Sequence, residues 1–294
     1  MSIEITEFTH PVHGKCISIN NEIIKVDITI DKGPFIIYFG FINGKNLLYS
    51  NEGNHGHLGH HLWFNPKTIP ESPSLEKSVV YTPSNNGVKF TQIIDNPINL
   101  KISIETLFAP ETNDFMILHS VQNISKESKK ISICASTLMN PNGILIVPQC
   151  NEDTELFPNR LLALWPYSRF DDKRFYLGNK YISFQHDSEI KNPFKFGTNN
   201  TSGWASYMLD NTVFIKRFVH NDDARYPDFG CSFESYSCDK YLSLNTNSAF
   251  YLAKPKEIIK HVENWSIFKN INNLKNYRKD KDIQDFLITL SYSY

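Results

Sequence analysis

A glutamate and a tyrosine stand two residues apart in CSFESYS (231–237), and a lysine follows a run of apolar residues in TVFIKRF (212–218). In an extended chain, successive side chains point to opposite faces. One face of such strands can therefore pack a core while the other presents Lys216, Glu234 and Tyr236 to a cleft. A carboxylate projected from a strand beside a lysine, Lys216 or Lys195, is a fair general base. The same arrangement is also the ordinary cross-strand ion pair. Upstream, Tyr226-Pro227-Asp228-Phe229-Gly230 reads as a tight turn that feeds the Glu234 strand, with Pro227 at its rigid corner and Gly230 free for positive φ.

Two further segments carry chemistry. In TELFPNRLLALWPYSRFDDKR (154–174), Arg160, Trp165, Tyr167, Arg169 and Asp171 can wall a ligand site. Leu161, Leu162, Leu164 and Trp165 suit a core equally well, and Asp172 and Arg174 a turn pair. In HGHLGHHLWFNP (55–66), His55, His57, His60 and His61 crowd together. His55 and His57 have strand spacing for a metal, but no carboxylate completes the set, and Gly56 and Gly59 make the segment loop-like. The expectation is a loop that lines a cleft or a solvated turn, with no metal bound. Tyrosine, tryptophan, basic and acidic groups on one face suit a neutral polyhydroxylated ligand. Rings cover the C–H face of a sugar, and charged groups bind its hydroxyls in pairs. No GxGxxG, P-loop, GxSxG or HExxH is present, so nothing in the motifs points to a cofactor.

The elements that position these residues read as strands. The chain has 294 residues, 40% hydrophobic and 13% aromatic, a composition that favours a large β core. Strand-like runs recur between turn signals: CISINNEIIKVDITI, FIIYFGFI closed by Asn43-Gly44, VVYTP and VKFTQII around Asn86-Gly87, then LKISIETLFAP, FMILHSVQNIS and KKISICASTLM. This is the pattern of a large antiparallel sandwich spanning 1–268. The remaining 269–294 form a C-terminal appendage. There DKDIQDFLITL places Ile283, Phe286, Leu287 and Leu290 on one helical face, with Asp280 as its cap.

Charge excludes some partners. With 30 basic and 31 acidic residues the net charge is −1 and no like-charge block appears, so neither nucleic acid nor an anionic membrane is expected. Five scattered cysteines form no CxxC pair, and the first residues show no basic stretch followed by an apolar run. The expectation is a cytoplasmic protein with reduced thiols.

In chain order, GPFIIYFGFINGKNLLY, GHHLWFNPK, LFPNRLLALWPY, NPFKFGTNNTSGWASY, FIKRF, RYPDFGCSFESY and YLSLNT before KPKE resemble the galactose mutarotase-like superfamily, in particular bacterial aldose 1-epimerase-related proteins. The resemblance runs from about residue 33 to residue 268. It implies an all-β antiparallel β-supersandwich whose concave sheet holds a monosaccharide or a glycan end. His60, Trp165, Trp204, Lys216, Asp228 and Glu234 match and are expected at that cleft, with Arg160 and Asn245 beside them. Mutarotases open the pyranose ring with a glutamate that takes the anomeric proton and a histidine that protonates the ring oxygen.

The chain departs from that pattern. Relatives read like LELETLGP where this chain reads YLSLNTNSAF, so Ser243 and Asn245 stand where glutamates would be. The strand ISICASTLM has no histidine, and Phe35 and His61 replace arginines. These departures imply a sugar-binding protein with weak or no epimerase activity. Two alternatives stay open: an active epimerase using Glu234 and His60, and a non-sugar interaction domain.

Overall fold

The structure is a computed structural model that describes residues 3–50, 58–65, 77–94, 98–108, 114–269, 271 and 274–291. His55 and His57 lie outside the described residues.

In chain order the strands begin with β1 (Glu4–His10), β2 (Gly14–Asn20), β3 (Ile24–Thr29), β4 (Ile36–Phe41), β5 (His60–Asn65), β6 (Val80–Ser84), β7 (Gly87–Ile94), β8 (Leu100–Phe108), β9 (Asp114–Asn123), β10 (Lys129–Met139) and β11 (Ile144–Pro148). They continue with β12 (Leu162–Leu164), β13 (Phe175–Leu177), β14 (Tyr181–Gln185), β15 (Phe194–Thr198), β16 (Trp204–Leu209), β17 (Thr212–Phe218), β18 (Phe233–Ser237), β19 (Leu242–Asn247), β20 (Tyr251–Ala253) and β21 (Ile258–Lys269), and one helix closes the chain, α1 (Asp280–Ser291).

The strands form two antiparallel sheets. The first has 11 strands in the order β1-β2-β3-β4-β5-β10-β19-β18-β15-β12, with β20 also on β10. The second has 10, in the order β13-β14-β11-β16-β17-β21-β9-β8-β7-β6. Two stacked sheets stand about 10 Å apart, so their facing side chains must interdigitate. β9 shows the rule plainly. Phe115, Ile117, His119, Val121 and Asn123 are buried, and the residues between them are partly exposed. In β10 both faces are covered: Ile131, Ile133, Ala135, Thr137 and Met139 face the core, while Ser132, Ser136 and Leu138 are buried on the outer side. β10 lies in the middle of the first sheet, where neighbouring side chains cover both of its faces.

The helix forms as its apolar spacing requires. Ile283, Phe286 and Leu290 pack on Ile146, Val213, Ile215 and Phe268, which cover the outer face of the second sheet. Asp280 is the first residue of the helix rather than the cap expected from sequence, since Ile283 N–H closes the first turn on the Lys279 carbonyl. Its carboxylate accepts the backbone N–H groups of Asn179 at 2.7 Å and Lys180 at 2.9 Å, tying the helix start to the β13–β14 turn. Among the described residues no helix is long and apolar enough to cross a membrane.

Phe286 is 1% exposed and is the largest side chain that the helix itself buries, beside Ile283 and Leu290. Phe286→Ala is expected to lower unfolding free energy by about 3–5 kcal/mol, the usual cost of emptying a buried aromatic site. Urea melts of the two proteins measure it. A change below about 1 kcal/mol would mean that the helix adds nothing to the fold.

Candidate functional site

Register across the first sheet builds a row of polar side chains on its outer face. His61 pairs with Ser136, Ser136 with Asn245, Asn245 with Glu234, and Glu234 with Gly197. Residues directly opposite one another in a ladder share a face, so all of these stand together. On one side of the row lie Trp63, Cys134 and Asn247; on the other lie Leu138, Ser243, Tyr236 and Lys195. An aromatic wall continues outward, with ring centroids 6.5 Å apart for Tyr167–Tyr236, 6.0 Å for Tyr236–Tyr241 and 5.3 Å for Tyr49–Tyr241.

Asn245 is the half-buried centre. Its Oδ1 accepts the Ser136 hydroxyl at 2.8 Å and its Nδ2 donates to Ser243 Oγ at 3.1 Å. This leaves one amide N–H and one lone pair for a ligand hydroxyl. Glu234 is more constrained. Lys195 Nζ stands 2.5 Å from Oε2, and Asn247 Nδ2 donates to Oε1 at 3.0 Å. The Lys195 ammonium also lies 3.8 Å from the Trp165 ring centroid, so the tryptophan and the carboxylate share one cation. Burial pushes the Glu234 carboxyl above its ordinary value, Lys195 opposes this, and the neighbouring Asp228 carboxylate raises it further. Glycine at 197 makes the arrangement fit, because a Cβ there would meet Cys231 Sγ at 2.5 Å and Glu234 Cγ at 3.2 Å.

Asp228 arrives on a strained turn. Gly230 has φ 115°, as its place in the turn requires, and Asp228 and Phe229 also take positive values, 47° and 68°. A left-handed phenylalanine costs roughly 1 kcal/mol or more. The Pro227 carbonyl offsets it by accepting the N–H groups of Gly230 at 2.9 Å and Cys231 at 2.8 Å.

Trp165, Asp228, Glu234 and Asn245 are thus brought together, with Lys195 rather than Lys216 as the cation. Arg160 stands at the exposed end, its Nε donating to the Cys150 carbonyl at 2.8 Å. His60, Lys216 and Trp204 do not join them, which corrects the expectation from sequence. Trp204 packs on the outer face of the second sheet with the cluster that receives the helix. His60 and Lys216 lie between the sheets, fully enclosed. Parity explains Lys216: it shares a face with Phe214 and Phe218, both core residues, and Val213 and Ile215 hold the other face.

The enclosed groups form a network whose protons can be assigned. Lys216 Nζ lies 3.0 Å from the Ala135 carbonyl, 2.8 Å from Thr137 Oγ1, 3.0 Å from the Leu244 carbonyl and 2.8 Å from Glu263 Oε1. Four acceptors around one nitrogen call for the ammonium. His119 Nδ1 faces the His261 carbonyl at 3.0 Å and must donate to it. Neutral His119 then accepts at Nε2, so His60 Nε2, 2.8 Å away, is the donor. His60 Nδ1 therefore accepts the Thr137 hydroxyl at 2.8 Å. The Thr246 hydroxyl donates to Glu263 Oε1 and accepts from His261 Nε2 at 2.8 Å, while Trp265 Nε1 donates to Glu263 Oε2 at 2.9 Å. Every assignment is consistent with three neutral imidazoles.

His60, His119 and Glu263 place ligand atoms within 4.8 Å of one another, the closest approach to a metal set among the described residues. Their lone pairs are already taken, and the Lys216 charge stands on the carboxylate. Asn247, Ser136, His119, His261 and Glu263 were missed from sequence. Their signal was parity: Asn245 and Asn247 share a face, as do His261, Glu263 and Trp265.

No family model and no curated protein matches the chain. Solved structures do match. A candidate aldose 1-epimerase from Klebsiella pneumoniae superposes with TM-score 0.62 at 7% identity, over 99% of this chain and 88% of that one. A galactose mutarotase-like protein from Lactobacillus casei gives 0.57 at 10% identity, over 86% and 100%. The chain has the galactose mutarotase-like fold. A TPR-domain containing protein from Parabacteroides distasonis also matches, with TM-score 0.61 at 14% identity, over 86% of this chain. There the chain spans about half the length of its relative, 47%.

The neutral imidazoles make stability fall with acid. Burial lowers the His119 and His261 pKa values from 6.5 to about 3, and that of His60 well below 6.5. Between those values the unfolded chain binds the protons and the folded one does not, so stability rises with pH there and is lost as pH falls from 6.5. Each histidine contributes a slope of about 1.4 kcal/mol per pH unit. His186 and His220, also lowered by burial, add the same sign. Urea midpoints at pH 7.0, 6.0 and 5.0 check this; the raised Glu234 carboxyl contributes the opposite sign, so the slope is read in Glu234→Gln, where a flat profile would rule out the neutral assignment.

Proposed function

We propose that the chain binds a neutral monosaccharide, or the terminal sugar of a glycan, on the outer face of the first sheet, and that aldose 1-epimerase activity is weak or absent. The observation that carries this reading is the row Ser136–Asn245–Glu234. At its centre is an amide with hydrogen-bonding capacity to spare and no proton to trade near neutrality. Beside it the carboxylate has both oxygens engaged, by Lys195 and by Asn247. Trp165, Tyr236 and Tyr167 supply ring surface for the C–H face of a pyranose. His60 has no part in this site, because it lies behind the sheet.

Neutrality of the ligand is supported by Lys195, whose charge is matched by Glu234. It is supported again by Phe35 and His61, the two positions where the resemblance leads one to expect arginine. Their rings pack edge to face at 5.7 Å, and neither carries the fixed charge of an arginine. The proposal includes a cytoplasmic setting, in keeping with five free cysteines, and no nucleic-acid or membrane partner.

Polarimetry and saturation-transfer NMR on α-glucose and α-galactose test the reading. The wild type should bind without speeding anomer exchange. Asn245→Glu should gain exchange, since a positioned base supplies a factor of about 10² to 10⁴. Strong wild-type exchange abolished by Glu234→Gln would instead establish an active epimerase built on the raised carboxyl of Glu234. Absence of binding across a glycan panel would point to an interaction domain.

A further inference from the structure

The Lys216 ammonium sits on the core side of the strand pair whose outer side carries Ser136 and Asn245. Its two backbone acceptors are not arbitrary. The Ala135 carbonyl belongs to the peptide group that leads into Ser136, and the Leu244 carbonyl to the one that leads into Asn245. Ser136 and Asn245 pair directly across β10 and β19. One cation, reaching across from β17 in the opposite sheet, therefore holds both peptide planes from which the central cleft pair projects. Thr137, next along β10, is its third acceptor on that sheet.

We propose that Lys216 is a positioning residue for the carbohydrate cleft, acting through the backbone of β10 and β19 without touching the ligand. The role rests on the reading that the outer face binds sugar. A hydrogen-bond donor held to a few tenths of an ångström binds far better than one that must be ordered by its ligand. A strand pair can pivot about its ladder, and on the outer face the Ser136–Asn245–Ser243 contacts, together with the Asn247–Glu234 bond, resist that motion. On the inner face the resistance is ionic and enclosed. The ammonium and its Glu263 partner are both 0% exposed, so no water can replace either. Glu263 is fixed in turn by Thr246 of β19 and by Trp265. The clamp thus closes on itself, from β17 to β10 and β19, and back to β21.

Removing Lys216 alone would strand a buried carboxylate, so the test uses Lys216→Met with Glu263→Gln, which keeps the core neutral. Two readouts follow in the folded double variant. Without ligand, the Asn245 side-chain amide and the Ser136 and Asn245 backbone amides should shift in ¹H–¹⁵N spectra, and amide exchange should quicken at 135–137 and 244–246 while β7 and β8 stay unchanged. With monosaccharide, Kd should weaken about tenfold, and that loss should vanish in an Asn245→Ala background, as a coupled pair requires. If the spectra and the Kd of the double variant match wild type, or if the loss persists undiminished with Asn245→Ala, Lys216 is not a positioning residue. If no sugar binds the wild type, the functional reading fails, yet the ligand-free spectra still decide the role of Lys216. Should the double variant not fold, Thr137→Val removes one acceptor with the charges intact and gives the same comparison at smaller amplitude.

Discussion

A lysine ammonium with no access to water is the constraint around which the two sheets are arranged. Taking that charge out of solvent is unfavourable by several kcal/mol unless every proton on it finds an acceptor and an opposite charge stands close. Lys216 meets both conditions only where β17, β10, β19 and β21 converge, and no slip of register would preserve them. Hydrophobic pairing across a sandwich tolerates sliding, because one aliphatic contact can replace another. The Lys216–Glu263 pair with its threonines and histidines does not. Breaking such a pair by removing one partner leaves an uncompensated buried charge, so its two members must stay aligned.

That alignment matters because the strand pair under the ammonium is also the floor of the cleft. Pleating gives each residue of β10 and β19 one face, so core and candidate site are built from alternate residues of the same two strands: Ala135 and Thr137 inward, Ser136 outward; Leu244 and Thr246 inward, Asn245 and Asn247 outward. On that outer face Asn245 offers an amide and no base, and the Phe35 and His61 rings pack edge to face. The Glu234 carboxylate is held by Lys195 and Asn247.

Much of this was legible in the sequence, and the failures have one cause. Strand positions, the antiparallel sandwich and the terminal helix followed from periodicity and turn residues. Trp165, Asp228 and Glu234 stand near one another in the structure, where a turn delivers Asp228 beside the Glu234 strand and Trp165 follows β12. The errors fell on Lys216, His60 and Trp204, where polarity was taken to mean cleft and aromaticity to mean ligand platform. Parity spoke otherwise. Lys216 is two residues from Phe214 and two from Phe218, and His60 alternates with Leu62 and Phe64. A charged residue in phase with core aromatics is a buried charge, and its partners must be sought at matching phase elsewhere. His261, Glu263 and Trp265 were such a set. What no single strand reveals is which sheet faces which, and so the pairing of Lys216 with Glu263 and of His60 with His119 needed the fold.

Glu234 shows how the surroundings of a carboxylate separate the ability to bind from the ability to catalyse. Burial and Asp228 raise its proton affinity, which by itself would favour a general base near neutrality. Basicity is opposed by the Lys195 ammonium, which stands on one oxygen and favours the ionised form, while Asn247 donates to the other. Each oxygen keeps a lone pair, but a proton gained there would leave the Lys195 cation on the face of Trp165 without its counter-ion. That loss is unfavourable in an enclosed site. A hydroxyl that bonds to Asn245 disturbs nothing of this kind, because the amide has a donor and a lone pair in reserve. On the proposed reading binding is the easier event, and the Lys195 charge beside Glu234 holds down the proton affinity that burial raises.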